Sequence, residues 1–277
     1  MNDIGGKKLP KVTLYIFLIL SGLLSIFPFY WMFVVGSNTT SAINKFPPVV
    51  VPGSNFLENA MNVLDRINFF GALFNSFIVS ATITISVLFF CSLAGYAFSK
   101  LEFKGRDFFF VMVIATMMIP PQLSLIPNFM IMSGIGWVDD LRAVIVPAAV
   151  NAFGVFWMRQ YISTSVPYDL VEAARIDGCS NFRIFWSIVL PTVKPGLATL
   201  GIFTFMTAWN DFLWPLVVLK DRSVHTIQIA LRTLNDVYST DYSLILAGTF
   251  MATVPVLIVF LIFNRQFIAG LTEGSVK

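Results

Sequence analysis

Residues Ser165 to Pro195 read SVPYDLVEAARIDGCSNFRIFWSIVLPTVKP. The stretch lies between two long apolar segments, yet it is not built like a loop. Pro167 suits the first turn of a helix, where its missing N–H costs nothing, and Asp169 places a carboxylate near a helix N-terminus. Leu170, Ala173, Ala174 and Asp177 fall at i, i+3, i+4 and i+7, so three apolar residues share a face that ends on an acid. Gly178 can take the left-handed conformation that stops a helix. Ser180 can cap a second helix carrying Phe182, Phe185, Ile188 and Val189, which Pro191 is expected to end. Two short helices meeting at a glycine form a compact knob. By pattern alone the knob is either an amphipathic connector on a membrane surface or a docking element.

Composition supplies the membrane. Of 277 residues, 57% are hydrophobic and 12% charged, where soluble domains carry roughly a quarter. The 29 Phe suit lipid-facing and helix-packing surfaces, and a net charge of +3 gives no reason to expect nucleic acid. Cys91 sits in an apolar segment and Cys179 in the knob, so no disulfide is expected. A lone His225 cannot make a metal site. Val12 to Val35 is too long for the apolar region of a cleavable signal peptide, and no small-residue cleavage site follows.

Outward from the knob, apolar segments predict six membrane spans at about 12–35, 70–98, 108–132, 141–161, 196–219 and 243–263. The fold expected is therefore all-α and integral to the membrane, one transmembrane domain over 1–277. Pro47-Pro48 and Pro52-Gly53 mark turns in the long loop 36–69, which should carry a short helix around Phe56 to Leu64. Pro120-Pro121 and Pro127 interrupt the third span, and irregular backbone at membrane depth needs a cavity or protein partners. Six spans put both termini on one side. That side collects twelve of the 18 Lys and Arg, among them Lys7, Lys100, Lys104, Arg175 and Arg183, so the knob and both termini are expected in the cytoplasm.

Polar residues inside spans are the candidates for a solute path. Asn210 and Asp211, within the string WNDFLWP from Trp209 to Pro215, are the most expensive to place at membrane depth. They line a path, or Asn210 repairs a helix kinked by Pro215, or Asp211 reaches solvent at the outer end. Trp209 and Phe212 add flat apolar faces of the kind that stack on sugar rings, although packing is the commoner role. Asn75, Ser76 and Gln122 are weaker candidates for the same path. The polar loop 220–242, with Gln228, Asp236 and Tyr238, reads by itself as a solvated connector. No G-x-x-x-x-G-K-[ST] is present to cradle nucleotide phosphates, and no HExxH, CxxC or G-x-S-x-G supports a metal site or a hydrolase.

Glu172-Ala173-Ala174, Gly178 six places after the Glu, and Ile188-x-Leu190-Pro191 resemble the EAA loop of ATP-binding-cassette importer permeases. The strings IPPQLSLIP, from Ile119 to Pro127, and WNDFLWPL, from Trp209 to Leu216, resemble the third and fifth spans of sugar permeases of the maltose type. The resemblance covers nearly the whole chain. It implies a type I importer fold in a bacterial or archaeal cell membrane, with Glu172, Ala173, Ala174, Asp177, Gly178, Leu190 and Pro191 coupling to an ATPase. It implies as partners a cytoplasmic ATPase dimer that binds the ATP and Mg2+, a second homologous permease, an external solute-binding protein and membrane lipid. The substrate implied is a sugar. The loop 220–242 would meet the binding protein, and the tail Phe267 to Lys277 would reach between the ATPase subunits unless it is a frayed end. The contrasting expectation is a six-span half of a gradient-driven transporter or channel.

Overall fold

The computed structural model describes residues 11–43, 45–235 and 240–272, with 263–272 described as backbone alone. Tail residues 273–277 and loop residues Asp236 and Tyr238 lie outside the described residues, as do the tail side chains from Phe267 onward. All regular structure among the described residues is helical. Three helices are long and apolar enough to cross a membrane, and three bent helix pairs bring the spans to as many as six.

The chain forms two compact units, residues 1–67 with 231–253, and residues 68–230 with 254–277. In the first, α1 (Lys11–Gly36) is apolar on every side and buries only its last turn, Val34 to Gly36, as suits a helix solvated by lipid. Gly36 sits so close to the backbone of Ala247 that a Cβ would come within 2.8 Å of its nitrogen. Helix α2 (Phe56–Arg66) buries Val63 completely. The rings of Phe33, Phe56 and Phe250 pack against each other at 5.1 to 5.6 Å.

The second unit is organised by α3 (Phe69–Lys100), whose 32 residues make a rod of about 48 Å. Asn68 caps it by accepting the Gly71 N–H at 3.1 Å. Helix α4 (Arg106–Thr116) follows a left-handed Gly105, φ 82°. The chain then turns by 90° into the 3-10 segment Pro121–Ser124 and α5 (Leu125–Gly134). A turn this sharp suits the Pro120-Pro121 pair, which removes two consecutive backbone donors. Helices α6 (Arg142–Ala148) and α7 (Ala152–Ser165) meet at 41° across Asn151, which caps α7 by accepting the Gly154 N–H at 2.7 Å.

The knob contains α8 (Tyr168–Ile176) and α9 (Asn181–Thr192), and α9 bends by 80° into α10 (Lys194–Trp209). Pro191 does not end α9 where the sequence suggests. The five residues before Leu190 form a π turn, with the Leu190 N–H bonded to the Phe185 carbonyl. The wider turn makes room for the proline ring, and the helix runs on to Thr192. Helix α11 (Leu213–Val218), a 3-10 turn at Arg222–Val224 and a short helix at Ile227–Arg232 follow, and the long α12 (Tyr242–Thr272) begins in the first unit and ends in this one. The core of this unit lies where α7 and α10 pack along α3, around Val87, Cys91, Met158, Ile162, Phe185 and Leu200.

Candidate functional site

Local chemistry builds the knob as read from its residues. Ser180 accepts the Arg183 N–H at 3.3 Å and caps α9. At the end of α8, Gly178 takes φ 79° and donates to the Arg175 carbonyl at 3.0 Å. The next N–H, of Cys179, reaches the Ala174 carbonyl at 2.9 Å. These two bonds are the Schellman closure of a helix end.

The buried face of α8 is shifted from the one the spacing suggests. Val171 and Ala174 point into the core, while Leu170 is 43% and Ile176 87% exposed. Glu172, Ala173, Asp177 and Gly178 are exposed as well, together with Pro191, and Leu190 is half-buried. An acid, a small residue and two aliphatic side chains thus lie on an outer face left exposed among the described residues. The other face is tied to the end of α3. Arg175 Nη2 donates to the Lys100 carbonyl at 3.2 Å, where the helix dipole also favours a cation. The Tyr168 hydroxyl donates to Glu102 at 3.3 Å, and Lys100 Nζ lies 5.8 Å from the Tyr168 ring centroid. These contacts join α8 to the C-terminal end of α3.

The second candidate is a cleft of about 780 Å³ in the same unit. It opens where two helices are broken, at 149–151 between α6 and α7 and at 210–212 between α10 and α11. Its wall includes Asn151, Phe153, Phe203, Thr207, Asn210, Asp211 and Phe212. Asn210 repairs its own helix end, donating from Nδ2 to the Met206 carbonyl at 2.8 Å. Its Oδ1 accepts from Gln228 Nε2 at 3.4 Å. The Asp211 carboxylate lies beside the backbone N–H groups of Phe212, Leu213 and Trp214 at the start of α11. Irregular backbone at two breaks thus lines one space, whose mostly apolar wall carries a few polar groups.

Of the path candidates, the structure brings Asn210, Asp211 and Phe212 together on the cleft. Trp209 turns away from it, 3% exposed and stacked on Phe205 at 5.8 Å. Gln122 is exposed on the 3-10 segment and is not part of the wall. Asn75 donates from Nδ2 to the carbonyls of Ser223 and His225, both at 3.1 Å. Beside it, Ser76 Oγ accepts the Ile227 N–H at 2.8 Å. Asp139, in the left-handed region at φ 63°, accepts the backbone N–H groups of Lys220 and Asp221. The segment after α11 is therefore fastened, and it buries Ile227 and Ile229 rather than running free in solvent. Burial also pushes the His225 imidazole below its ordinary pKa, which keeps it neutral at pH 7.

Asn151 is one of the wall residues that the sequence reading passed over, with Phe153, Phe203 and Thr207. Its signal was present as Pro147, then an Asn three places before Gly154, a helix break followed by a cap. Asn75→Ala leaves the Ser223 and His225 carbonyls without a donor, at a cost of about 1 kcal/mol. Hydrogen–deuterium exchange should then rise at 221–227 and stay unchanged in α7. Equal protection in the variant argues against this clamp.

Residues 88–267 match the family model described as binding-protein-dependent transport system inner membrane component. The arabinooligosaccharides transport system permease protein AraQ of Halalkalibacterium halodurans is 41% identical over 227 residues, covering 82% of this chain and 81% of that one. AraQ of Bacillus subtilis is 34% identical and covers 96% of each chain. The lactose transport system permease protein LacG of Rhizobium radiobacter is also 34% identical, with 98% of each chain covered. Among solved structures, the crystal structure of a bacterial ABC transporter involved in the import of the acidic polysaccharide alginate matches with a TM-score of 0.79. That match has 24% identity over 93% of this chain and 96% of that one, a likeness of fold.

Proposed function

The chain belongs to the family of binding-protein-dependent transport system inner membrane components, and from that premise we propose that it is the membrane-spanning permease of an ATP-driven sugar importer. It is a transport subunit, and family membership sets aside the gradient-driven half-transporter. Relatives named for arabino-oligosaccharides and lactose support a di- or oligosaccharide as the solute, while others at 30–31% identity are named for sn-glycerol-3-phosphate.

The observation that carries the mechanism is the knob. Leu170, Ala173 and Ile176 are offered outward around Glu172, while Arg175 and Tyr168 fasten α8 to α3. We assign the outer face to a cytoplasmic ATPase dimer, which holds ATP and Mg2+. Ala173 allows close approach, and Glu172 supplies a charge for a basic partner group. Closure of the ATPase dimer pushes α8, the push enters α3, and the spans rotate to switch the cleft between outward and inward access. In this reading Asn210, Asp211 and Phe212 line the sugar path, with Asn151 added to them. A second homologous permease supplies the other half, as a heterodimer, and a solute-binding protein delivers sugar to the outer side near 220–230. The positive-inside rule, with twelve of 18 basic residues on one side, supports a cytoplasmic location for both termini and the knob.

The test is affinity purification of this chain from detergent-solubilised native membrane, followed by mass spectrometry. Recovery of a P-loop ATPase, a second six-span permease and a solute-binding protein is the expected result. Recovery of this chain alone, under conditions that preserve other transporter complexes, overturns the reading.

A further inference from the structure

The wall of the cleft has an unbalanced charge. It carries one carboxylate, Asp211, and no Lys, Arg or His among the described residues. Its other polar groups are the amides of Asn151 and Asn210 and the hydroxyls of Thr204 and Thr207. Thr207 Oγ1 spends its proton on the Phe203 carbonyl at 2.8 Å, so it meets a solute as an acceptor. The Asn151 oxygen is taken by the Gly154 N–H, which leaves its amide protons as neutral donors. Phe153, Phe203 and Phe212 contribute apolar ring faces.

A sugar hydroxyl can donate to Asp211 and Thr207 and accept from Asn151. A phosphate or carboxylate group in the same place has no proton to donate and meets a like charge, which opposes its binding. We infer that this chain's wall of the path selects neutral, hydroxyl-rich solutes and rejects anionic ones, with Asp211 as the specificity-determining residue. The inference rests on the sugar-path reading of the cleft and adds a sign to it.

The experiment uses the intact permease–ATPase complex in nanodiscs without binding protein, so that the binding protein's own preference does not enter. Calorimetry compares arabinotriose, which is neutral, with trigalacturonate, an acidic sugar of equal length. The wild-type complex should bind arabinotriose at least about tenfold more tightly than trigalacturonate. Asp211→Asn, which preserves shape, should narrow the ratio between the arabinotriose and trigalacturonate affinities by about tenfold. Assembly of the variant is checked by gel filtration, and the wild-type comparison stands even if the variant fails to assemble. Comparable wild-type affinity for both sugars, or an unchanged ratio in an assembled Asp211→Asn complex, overturns charge selection and leaves the sugar path standing. Binding of neither sugar overturns the sugar path and this inference together.

Discussion

Gly178→Pro should abolish ATP-coupled sugar uptake while leaving the complex assembled. The glycine sits at φ 79°, and proline is fixed near −65°. Proline also removes the N–H that bonds to Arg175, one of the two bonds that close α8. The local cost is about 3 kcal/mol or more, and it falls on the junction between the two helices of the knob. Space is not the constraint, because a Cβ at 178 meets nothing within 4 Å. That separates conformation from crowding. Gly178→Asn, whose short polar side chain tolerates the left-handed region, should retain most activity, and Gly178→Ala should fall between, at about 1–2 kcal/mol. Assembly should survive because the core between α3, α7 and α10 does not depend on residue 178. The measurement is sugar-stimulated ATPase and uptake in proteoliposomes for the three variants. Normal stimulation in the proline variant would mean that the knob does not carry the coupling.

Gly95→Leu acts at a different level and should strongly destabilise the permease. A Cβ at 95 would lie 2.7 Å from the Arg159 nitrogen, 2.8 Å from the Met158 carbonyl carbon and 2.8 Å from its Cβ. Two of these are backbone atoms of α7 and cannot rotate away. One turn earlier on α3, Cys91 Sγ fills the space above Gly154, where a Cβ would come within 2.8 Å. In lipid, helices associate through van der Waals contact, because the acyl chains are as apolar as the side chains they replace. Forcing α3 and α7 apart therefore forfeits the contacts of Met158 and Ile162, both fully buried, with little solvent effect to offset the loss. Overpacking of this kind costs about 1–3 kcal/mol or more. The leucine variant should lose its monodisperse peak in detergent and melt well below wild type. Gly134→Ala, at a site with nothing within 4 Å, is the control and should melt within a few degrees of wild type. Wild-type stability of Gly95→Leu would mean that α3 and α7 do not approach this closely.

Composition alone placed the chain in a membrane, since 57% hydrophobic residues cannot be hidden in a 277-residue soluble core. The knob was also legible, because its determinants are local. Gly178 and Ser180 act on backbone groups within a few residues of themselves, so spacing carried the information. Even there, which face of α8 is buried depended on α3 and α7, and Val171 took the place that the spacing gave to Leu170 and Ala173. The cleft required the tertiary structure. Asn151 and Asp211 lie 60 residues apart in sequence and meet because two separate helices break at the same place. Trp209 and Phe212 looked equivalent in sequence, yet one stacks inside on Phe205 and the other lines the cleft. A membrane helix has no polar face to orient it, so periodicity is silent about which side turns inward. Asn75 shows the same limit, for its partners are the carbonyls of Ser223 and His225, far along the chain. Backbone conformation near a glycine or a cap is decided by neighbours in sequence. The facing of an apolar helix is decided only by what packs against it.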